Sequence, residues 1–459
     1  MTIRITADPL SARPFHGFGV QADPIFLHPD ASQSGITPAD LTLVETRLRV
    51  LRPANARLFV DVRWFHPALD GTTYEWNHPN YQNLLHQLRV LESLGSAVNL
   101  VLFEPRTPVD QLPRLAEAMM ILLRRLLDTE GVGAVRWLTL YNEPDSQFVH
   151  DSPLAREIFA KDYDTRKRWD DFVNWSRATH ALLQRHGLYP RIRLATPDCV
   201  WGHPMRVERL KLAVRDLGDL DVTYSYHHYN PEWPAFYTSP LYAYPGIEAE
   251  TRLFRELVGP DRELIIWETN AAGQHFNHLS PGVGPHGEDL LGSLANAVDF
   301  TAKIFTMLNH GVDGLCLWCL SDGVYLPFVK PHHVMEFGLW RDKPHGWEPR
   351  PYYYYFAALT HAFRPGAQLL RVTDTNTLAA RHADSLTVAI LNPSATERHI
   401  TAEFPTTRPG TRLVVRPGTF PTTDRLPVTD TTPFPAPSGP LELPMAGQEL
   451  SIFTFPEWT

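Results

Sequence analysis

Two glutamates stand where apolar runs give way to polar residues: Glu143 in WLTLYNEP and Glu268 in IIWETN. A carboxyl pair facing one cleft can divide the work of cleaving a glycosidic bond. One carboxyl stays protonated and hands its proton to the departing oxygen, while the other is ionised and attacks the sugar or activates water. Their surroundings must then push their pKa values apart. Other polar or aromatic residues close similar runs: Arg57 in ARLF, Glu104 in LVLFEP, Asn142 beside Glu143, His227 and Tyr229 in YHHYN, and Trp318 in LCLWCL. Singly, each has an ordinary structural explanation in an ion pair, a satisfied core histidine or a packed ring. As a set they point to one site.

The elements that must carry these residues are eight short apolar runs, at 15–21, 56–62, 97–104, 135–143, 192–198, 221–229, 263–269 and 313–320, read as strands. Helical patterns separate them, such as YQNLLHQLRVLESLG stopped by Gly95 and VDQLPRLAEAMMILLRRLLDTEG stopped by Gly131. Strand and helix in alternation predict an α/β fold, a (β/α)8 TIM barrel over 15–363, with chemistry at the C-terminal ends of its strands. After 363 the helical period vanishes and short alternating runs (LTVAILN, TRLVVRP, LSIFTF) predict a β-sandwich over 364–459. Residues 1–14 add a strand to that second module.

Alternation along a strand says which residues share a face. On strand six Thr223, Ser225, His227 and Tyr229 share the polar parity, so His227 and Tyr229 face the axis and His228 does not. On strand seven Leu264, Ile266 and Glu268 share a parity, which directs Glu268 inward. On strand three Glu104 shares parity with Leu100 and Leu102 and reaches the cleft by the same reasoning. Strand four cannot be regular, because adjacent Asn142 and Glu143 must both face inward; its end is expected to bulge or twist.

With 459 residues, 43% hydrophobic and 20% charged, the chain can bury a large core. A formal net charge of -9 with scattered basic residues argues against nucleic acid as a partner. No window supplies the roughly 18 apolar residues of a membrane span, and MTIRITADPL has no leader pattern, so a cytoplasmic protein without membrane attachment is expected. Three cysteines, Cys199, Cys316 and Cys319, read as buried structural thiols, and no metal or cofactor is expected. Nothing in the sequence addresses the oligomeric state.

YNEP followed by the strand-terminal glutamate of IIWETN resembles the acid/base and nucleophile motifs of the retaining clan A glycoside hydrolases, which include cellulases, β-glucosidases, β-xylosidases and α-L-iduronidases. Arg57 in ARLF, His227 and Tyr229 in YHHYN, Leu317-Trp318, the initial HGFGVQ and the later PYYYYFAAL extend the resemblance, particularly to families 39, 30 and 5. WETN differs from the TEFG, TENG or TEW of those families, and YHHYN carries a second histidine. The resemblance implies that Glu143 is the acid/base and Glu268 the nucleophile. It also implies that Asn142 binds the sugar 2-hydroxyl, Arg57 and Tyr229 support Glu268, His227 positions substrate or Glu143, and Trp318 is the stacking floor.

The expected function is a retaining glycosidase with a carbohydrate substrate, exo-acting on small oligosaccharides or glycosides. An endo-acting glycanase, a transglycosidase and a non-catalytic carbohydrate-binding protein are the alternatives. Asp145, Asp198 and Asp322 follow strands and are read as hydroxyl ligands or helix caps. The aromatic segment 230–244 is a sugar platform or packed loop, and 277–289 a lid.

Overall fold

The structure, a computed structural model, describes residues 2–23, 36–102, 111–158, 161, 163–200, 202–229, 245–270, 292–323, 336–420 and 431–456. Eight parallel strands close into a barrel: Gly17–Gln21, Asn55–Val60, Ala97–Leu102, Val135–Thr139, Arg193–Cys199, Thr223–Tyr229, Leu264–Asn270 and Gly314–Leu317, here strands one to eight. Each pairs with its neighbour in sequence, and strand eight pairs back onto strand one. Every apolar run expected to be a strand is one, although strand four stops at Thr139 instead of continuing to 143.

A principal helix follows each strand: Pro38–Leu51, Pro79–Ser93, Leu112–Asp128, Trp169–Arg185, His203–Leu217, Ile247–Val258, Leu294–Asn309 and Pro351–Ala362. Leu112–Asp128 shows why such segments dock. Its Leu115, Met119, Leu122 and Leu126 recur at three- and four-residue spacing and are all buried. Gly95 and Gly131, just beyond two of these helices, have φ of 78° and 68°, as expected of residues that stop a helix in the left-handed region.

Alternation along the strands separates two apolar layers. Ala56, Leu58, Val60, Val98, Leu100, Leu102, Tyr224 and Tyr226 join the main core shared with the helices. Trp137, Ala195, Ile265, Trp267 and Cys316 form a separate plug. Those five come from strands four, five, seven and eight, so they meet across the barrel axis. Space at the N-terminal end of this interior is tight: a Cβ on Gly19 would lie 2.4 Å from Cys316 Sγ and 2.8 Å from Asn55 Cβ, so only glycine fits there.

The second module is a nine-stranded sheet. Thr2–Pro9 lies within it, antiparallel to Gln368–Val372 and parallel to Arg398–Glu403. Phe434 from one edge strand and Leu443 and Met445 from the other share a core with Leu386, Val388, Ile390, Phe453 and Phe455. The sheet therefore curls over itself into a β-sandwich. The intervening residues Ala389, Leu391, Leu450 and Ile452 join the main core on the barrel side. Pro351–Ala362 bridges the two modules; Tyr354 stacks on Phe420 with ring centroids 4.7 Å apart. Among the described residues no helix is long and apolar enough to cross a membrane.

Candidate active site

At the C-terminal end of the barrel, strand two carries Arg57 inward into a position where it binds four other elements. Its guanidinium donates to Glu268 Oε1 at 2.5 Å and Gln21 Oε1 at 3.1 Å through one nitrogen, and to Asn142 Oδ1 and Asp198 Oδ2, both at 2.7 Å, through another. Both Arg57 and Asp198 are fully buried. Gln21 in turn donates to both carboxylate oxygens of Asp23, at 2.7 and 2.9 Å. Burial pushes the Asp23 carboxyl up to about 7 against the hydrogen bonds from Phe59 N and Gln21.

Glu268 does face the cleft, but not for the reason its parity suggested. Leu264 and Ile266 pack outward among the helices, whereas Ile265 and Trp267 fill the barrel plug. The pairing of strand seven with strand six slips between Ile266 and Glu268: Ile266 opposes Tyr226 and Glu268 opposes the very next residue, His227. Trp267 is the extra residue of this bulge, so two consecutive side chains point inward. Strand six is regular and behaves as its alternation predicts. Tyr229 donates to Glu268 Oε2 at 2.6 Å, and His227 Nδ1 lies 3.3 Å from the same oxygen. His228 faces outward and meets Glu250.

Strand four ends irregularly, as the adjacency of Asn142 and Glu143 required. Leu140 and Tyr141 both join the outward core, and Glu143 takes the left-handed conformation, φ 52° and ψ 58°, before a 3-10 turn at Pro144–Ser146. A non-glycine residue in that region is strained. The turn brings Glu143 Oε1 to 3.0 Å from His227 Nδ1. Strand five repeats the device. Its register slips between Pro197 and Cys199, and Asp198, with φ 57°, turns inward to bind Arg57 and, at 3.1 Å, His227 Nε2.

Two cationic side chains thus face three carboxyl groups. Burial favours a neutral His227, but Glu268 and Asp198 outweigh it and raise its pKa to about 10. Burial likewise opposes charge on Asp198, yet His227 and Arg57 bring it down to about 2. Burial also acts against the Arg57 charge, and Asp198 and Glu268 more than compensate, pushing it up. At Glu268 burial prevails and pushes the carboxyl up; His227 and Arg57 pull against it, and the charge of Glu143 adds to the rise.

One wall of the site is apolar. Phe59, Val101, Trp318, Cys319 and Phe337 form a buried cluster with Tyr229 packed against it. The Phe59 and Trp318 rings are 5.6 Å apart, and the Arg57 guanidinium sits 4.9 Å from the Phe59 ring. Arg57, Asn142, Glu143, His227, Tyr229, Glu268 and Trp318 are therefore all gathered at this end of the barrel. Glu104 and the segments 230–244 and 277–289 lie outside the described residues. The parity premise for Glu104 does not hold, because Leu100 and Leu102 face the helices and Asn99 and Val101 the interior.

The three aspartates read as hydroxyl ligands or caps have other partners. Asp198 is the shared anion of Arg57 and His227. Asp145 accepts from Val200 N, at 3.1 and 3.2 Å, tying the strand-four turn to the end of strand five. Asp322 forms a bidentate buried pair with Arg350. Sequence reasoning passed over Gln21, Asp23, Phe59 and Phe337. Phe59 was available, since it shares parity with Arg57 on strand two.

Glu143, His227 and Glu268 place one ligand-type atom each within 4.8 Å of one another, the metal-like group found among the described residues. A metal needs a lone pair on the imidazole. Here Nε2 is engaged with Asp198 and Nδ1 points at the two glutamates, so both ring nitrogens already face carboxylates. The three residues are accordingly suited to sharing protons. All three cysteines are buried free thiols.

No protein-family model matches the chain, and no curated protein matches it in sequence. Solved structures match it in fold. A family 30 glycoside hydrolase endoxylanase from Clostridium papyrosolvens C71 aligns with a TM-score of 0.66 at 12% identity, covering 99% of this chain and 100% of its own. A family 39 β-xylosidase from Caulobacter crescentus gives 0.61 at 14% identity, with 99% of each chain covered. The family 39 enzyme from Xanthomonas axonopodis pv. citri gives 0.63 at 14% identity, covering 100% of this chain and 97% of that one. At such identities the likeness is one of fold. The chain has the (β/α)8 barrel and attached β-sandwich found in glycoside hydrolases of families 30 and 39.

Proposed function

We propose that the protein is a retaining glycoside hydrolase in which Glu268 is the nucleophile and Glu143 the acid/base. The observation that carries this reading is the spacing of the pair. A carboxylate oxygen of Glu143 lies within 4.8 Å of one of Glu268. Direct attack by a carboxylate goes with a separation of about 5 to 5.5 Å, whereas a mechanism that seats a water between the two needs about 6.5 Å or more.

The surroundings divide the roles. Arg57 and Tyr229 each donate to a different oxygen of Glu268; both bonds oppose the rise that burial imposes on its carboxyl and aim it at an anomeric carbon. Glu143 has a side chain 29% exposed against 5% for Glu268, so it can meet both a departing oxygen and an entering water. In the first step Glu268 bonds to the anomeric carbon as the glycosidic C–O bond breaks, and Glu143 gives its proton to the leaving oxygen. In the second Glu143 takes a proton from water, which displaces Glu268 and restores the original anomeric configuration. Because Arg57 holds the Asn142 carbonyl oxygen, the amide nitrogen of Asn142 is left to donate to the sugar 2-hydroxyl. Trp318 offers the apolar face on which the ring stacks.

For substrate we propose exo action on short oligosaccharides or glycosides, of the β-xylosidase or β-glucosidase kind. One fold relative is a β-xylosidase; another is an endoxylanase, which supports the endo-acting alternative. The deciding experiment is a panel of nitrophenyl glycosides and xylo- and cello-oligosaccharides, with products followed by NMR. Release of one monosaccharide with its configuration retained supports exo-acting hydrolysis. A mixture of shorter oligomers assigns endo action, elongated products assign transglycosylation, and binding without turnover leaves a carbohydrate-binding protein. Initial products of inverted configuration remove the nucleophile role from Glu268.

A further inference from the structure

Behind the site, on the helix side of strands six and seven, lies a second buried polar cluster that takes no part in the chemistry above. Glu250, fully buried on the helix Ile247–Val258, accepts from Arg206 at 2.9 Å and lies 2.9 Å from ring nitrogens of both His203 and His228. Arg206 also donates to the carbonyl of His227 at 3.3 Å. Lys303, from the helix Leu294–Asn309, is buried and uses Nζ to donate to two main-chain carbonyls, His228 O at 2.9 Å and Asn270 O at 2.7 Å.

Those carbonyls sit at chosen places. His228 is flanked by His227 and Tyr229, and Asn270 follows Glu268 by two residues at the end of strand seven. Among the described residues the pairing of the two strands reaches its last rungs here, Thr269 with His228 and Asn270 with Tyr229. Lys303 Nζ spans the two strands at that point. Thr269 Oγ1 adds a second donor to His228 O at 2.8 Å. The Asn270 amide reaches on to strand eight, donating to the carbonyls of Trp318 and Phe337. Lys303 therefore ties together the segments bearing His227, Tyr229 and Glu268, and the Asn270 side chain extends the tie to Trp318.

We propose that Lys303 is a positioning residue for the carboxylate site: by holding the carbonyls of His228 and Asn270 it sets the distance between the ends of strands six and seven, and so the aim of Glu268. Burial and the neighbouring charge of Arg206 both weigh against a charge on Lys303, and Glu250 offsets them only in part, so the side chain is costly to keep at this place. Its two donated bonds point to geometry as what it contributes. The proposal rests on the glycosidase reading of Glu268.

The test compares wild type with Lys303→Met, which keeps the stem and removes the donors, and with Lys303→Arg, which keeps a cationic donor. Melting temperature, kcat and KM are measured. So is the rate at which a 2-deoxy-2-fluoro aryl glycoside labels Glu268, followed by intact mass. An aim shifted by about 1 Å costs on the order of 100-fold in rate, so Lys303→Met is expected to lose roughly 10- to 100-fold in kcat. The labelling rate should fall in parallel, KM should stay within about 3-fold, and Lys303→Arg should recover part of the loss. A folded Lys303→Met with kcat and labelling within about 2-fold of wild type overturns the proposal. If Lys303→Met does not fold, the isosteric Thr269→Val, which strips the other side-chain donor from His228 O, takes its place. A labelling rate lowered about 3-fold or more then supports the clamp, and a smaller change overturns it. A wild type that cleaves no glycoside and takes no label instead sinks the glycosidase reading, and the role of Lys303 with it.

Discussion

Glu143 and Glu268 reach one cleft by opposite means. Glu268 lies within a paired strand, buried, with Arg57, Tyr229 and His227 arrayed around its two oxygens. Glu143 lies beyond the end of its strand, in a left-handed conformation, partly open to solvent, with His227 on one oxygen. On the proposed reading, the fold gives two identical side chains distinct work. A group that must attack one carbon is fixed from several sides, while a group that must exchange a proton first with a leaving oxygen and then with water is held on a turn at the opening. His227 touches both and couples them.

The contrast can be broken most directly at Glu268. Glu268→Ala should lower kcat on every substrate by at least about 10⁴-fold, because no covalent intermediate can form. Glu143→Ala should behave selectively. Loss of acid catalysis should cost roughly 10²- to 10⁴-fold on poor leaving groups and far less on dinitrophenyl glycosides, and azide should accelerate turnover by replacing the base-assisted water. If the two variants respond alike to leaving group and azide, the division of roles is wrong.

Asp198 supports both halves, so Asp198→Asn sharpens the comparison at its shared root. Stripping the anion from buried Arg57 and His227 should destabilise the fold by about 3 to 5 kcal/mol in denaturant titration. The pH dependence of stability follows from His227, whose folded pKa of about 10 lies above the ordinary 6.5. A raised value stabilises the folded state fully below 6.5 and loses that contribution as pH rises through about 10. The stability gap between wild type and His227→Gln should therefore be widest in acid and neutral solution and close as the pH climbs through that value. A gap that instead widened with pH would mean that the folded histidine is neutral. The smallest effect concerns the turn. Glu143→Gly should be more stable than Glu143→Ala by about 1 kcal/mol, since alanine keeps the left-handed strain and glycine does not; equal stabilities would show that the turn relaxes when the carboxylate is gone.

His227 and Tyr229 could be placed from sequence because strand six stays regular, so counting by twos gives the correct face. The same counting failed at Glu268, where Trp267 is an added residue, and was silent at Asp198, where strand five slips. At Glu143 it failed usefully. Two adjacent residues needed the same face, and the only way out was the irregular strand end that the structure contains. The residues that break the alternation of their strands are therefore the ones with most to do at the site. Local period reports regular backbone, and these backbones are not regular.

The eight strands, their helices, the change of texture after 363 and the set of side chains at the strand ends are all legible in the linear chain. Those depend on hydrophobic period and on stop signals, which are local. Only the tertiary structure decided which carboxyl is clamped and which is open, that Asp198 joins Arg57 to His227, and that Lys303 braces the strand ends from behind. Each of these is a meeting of residues far apart in the chain, and burial and neighbouring charge, which set their protonation, exist only once the barrel has closed.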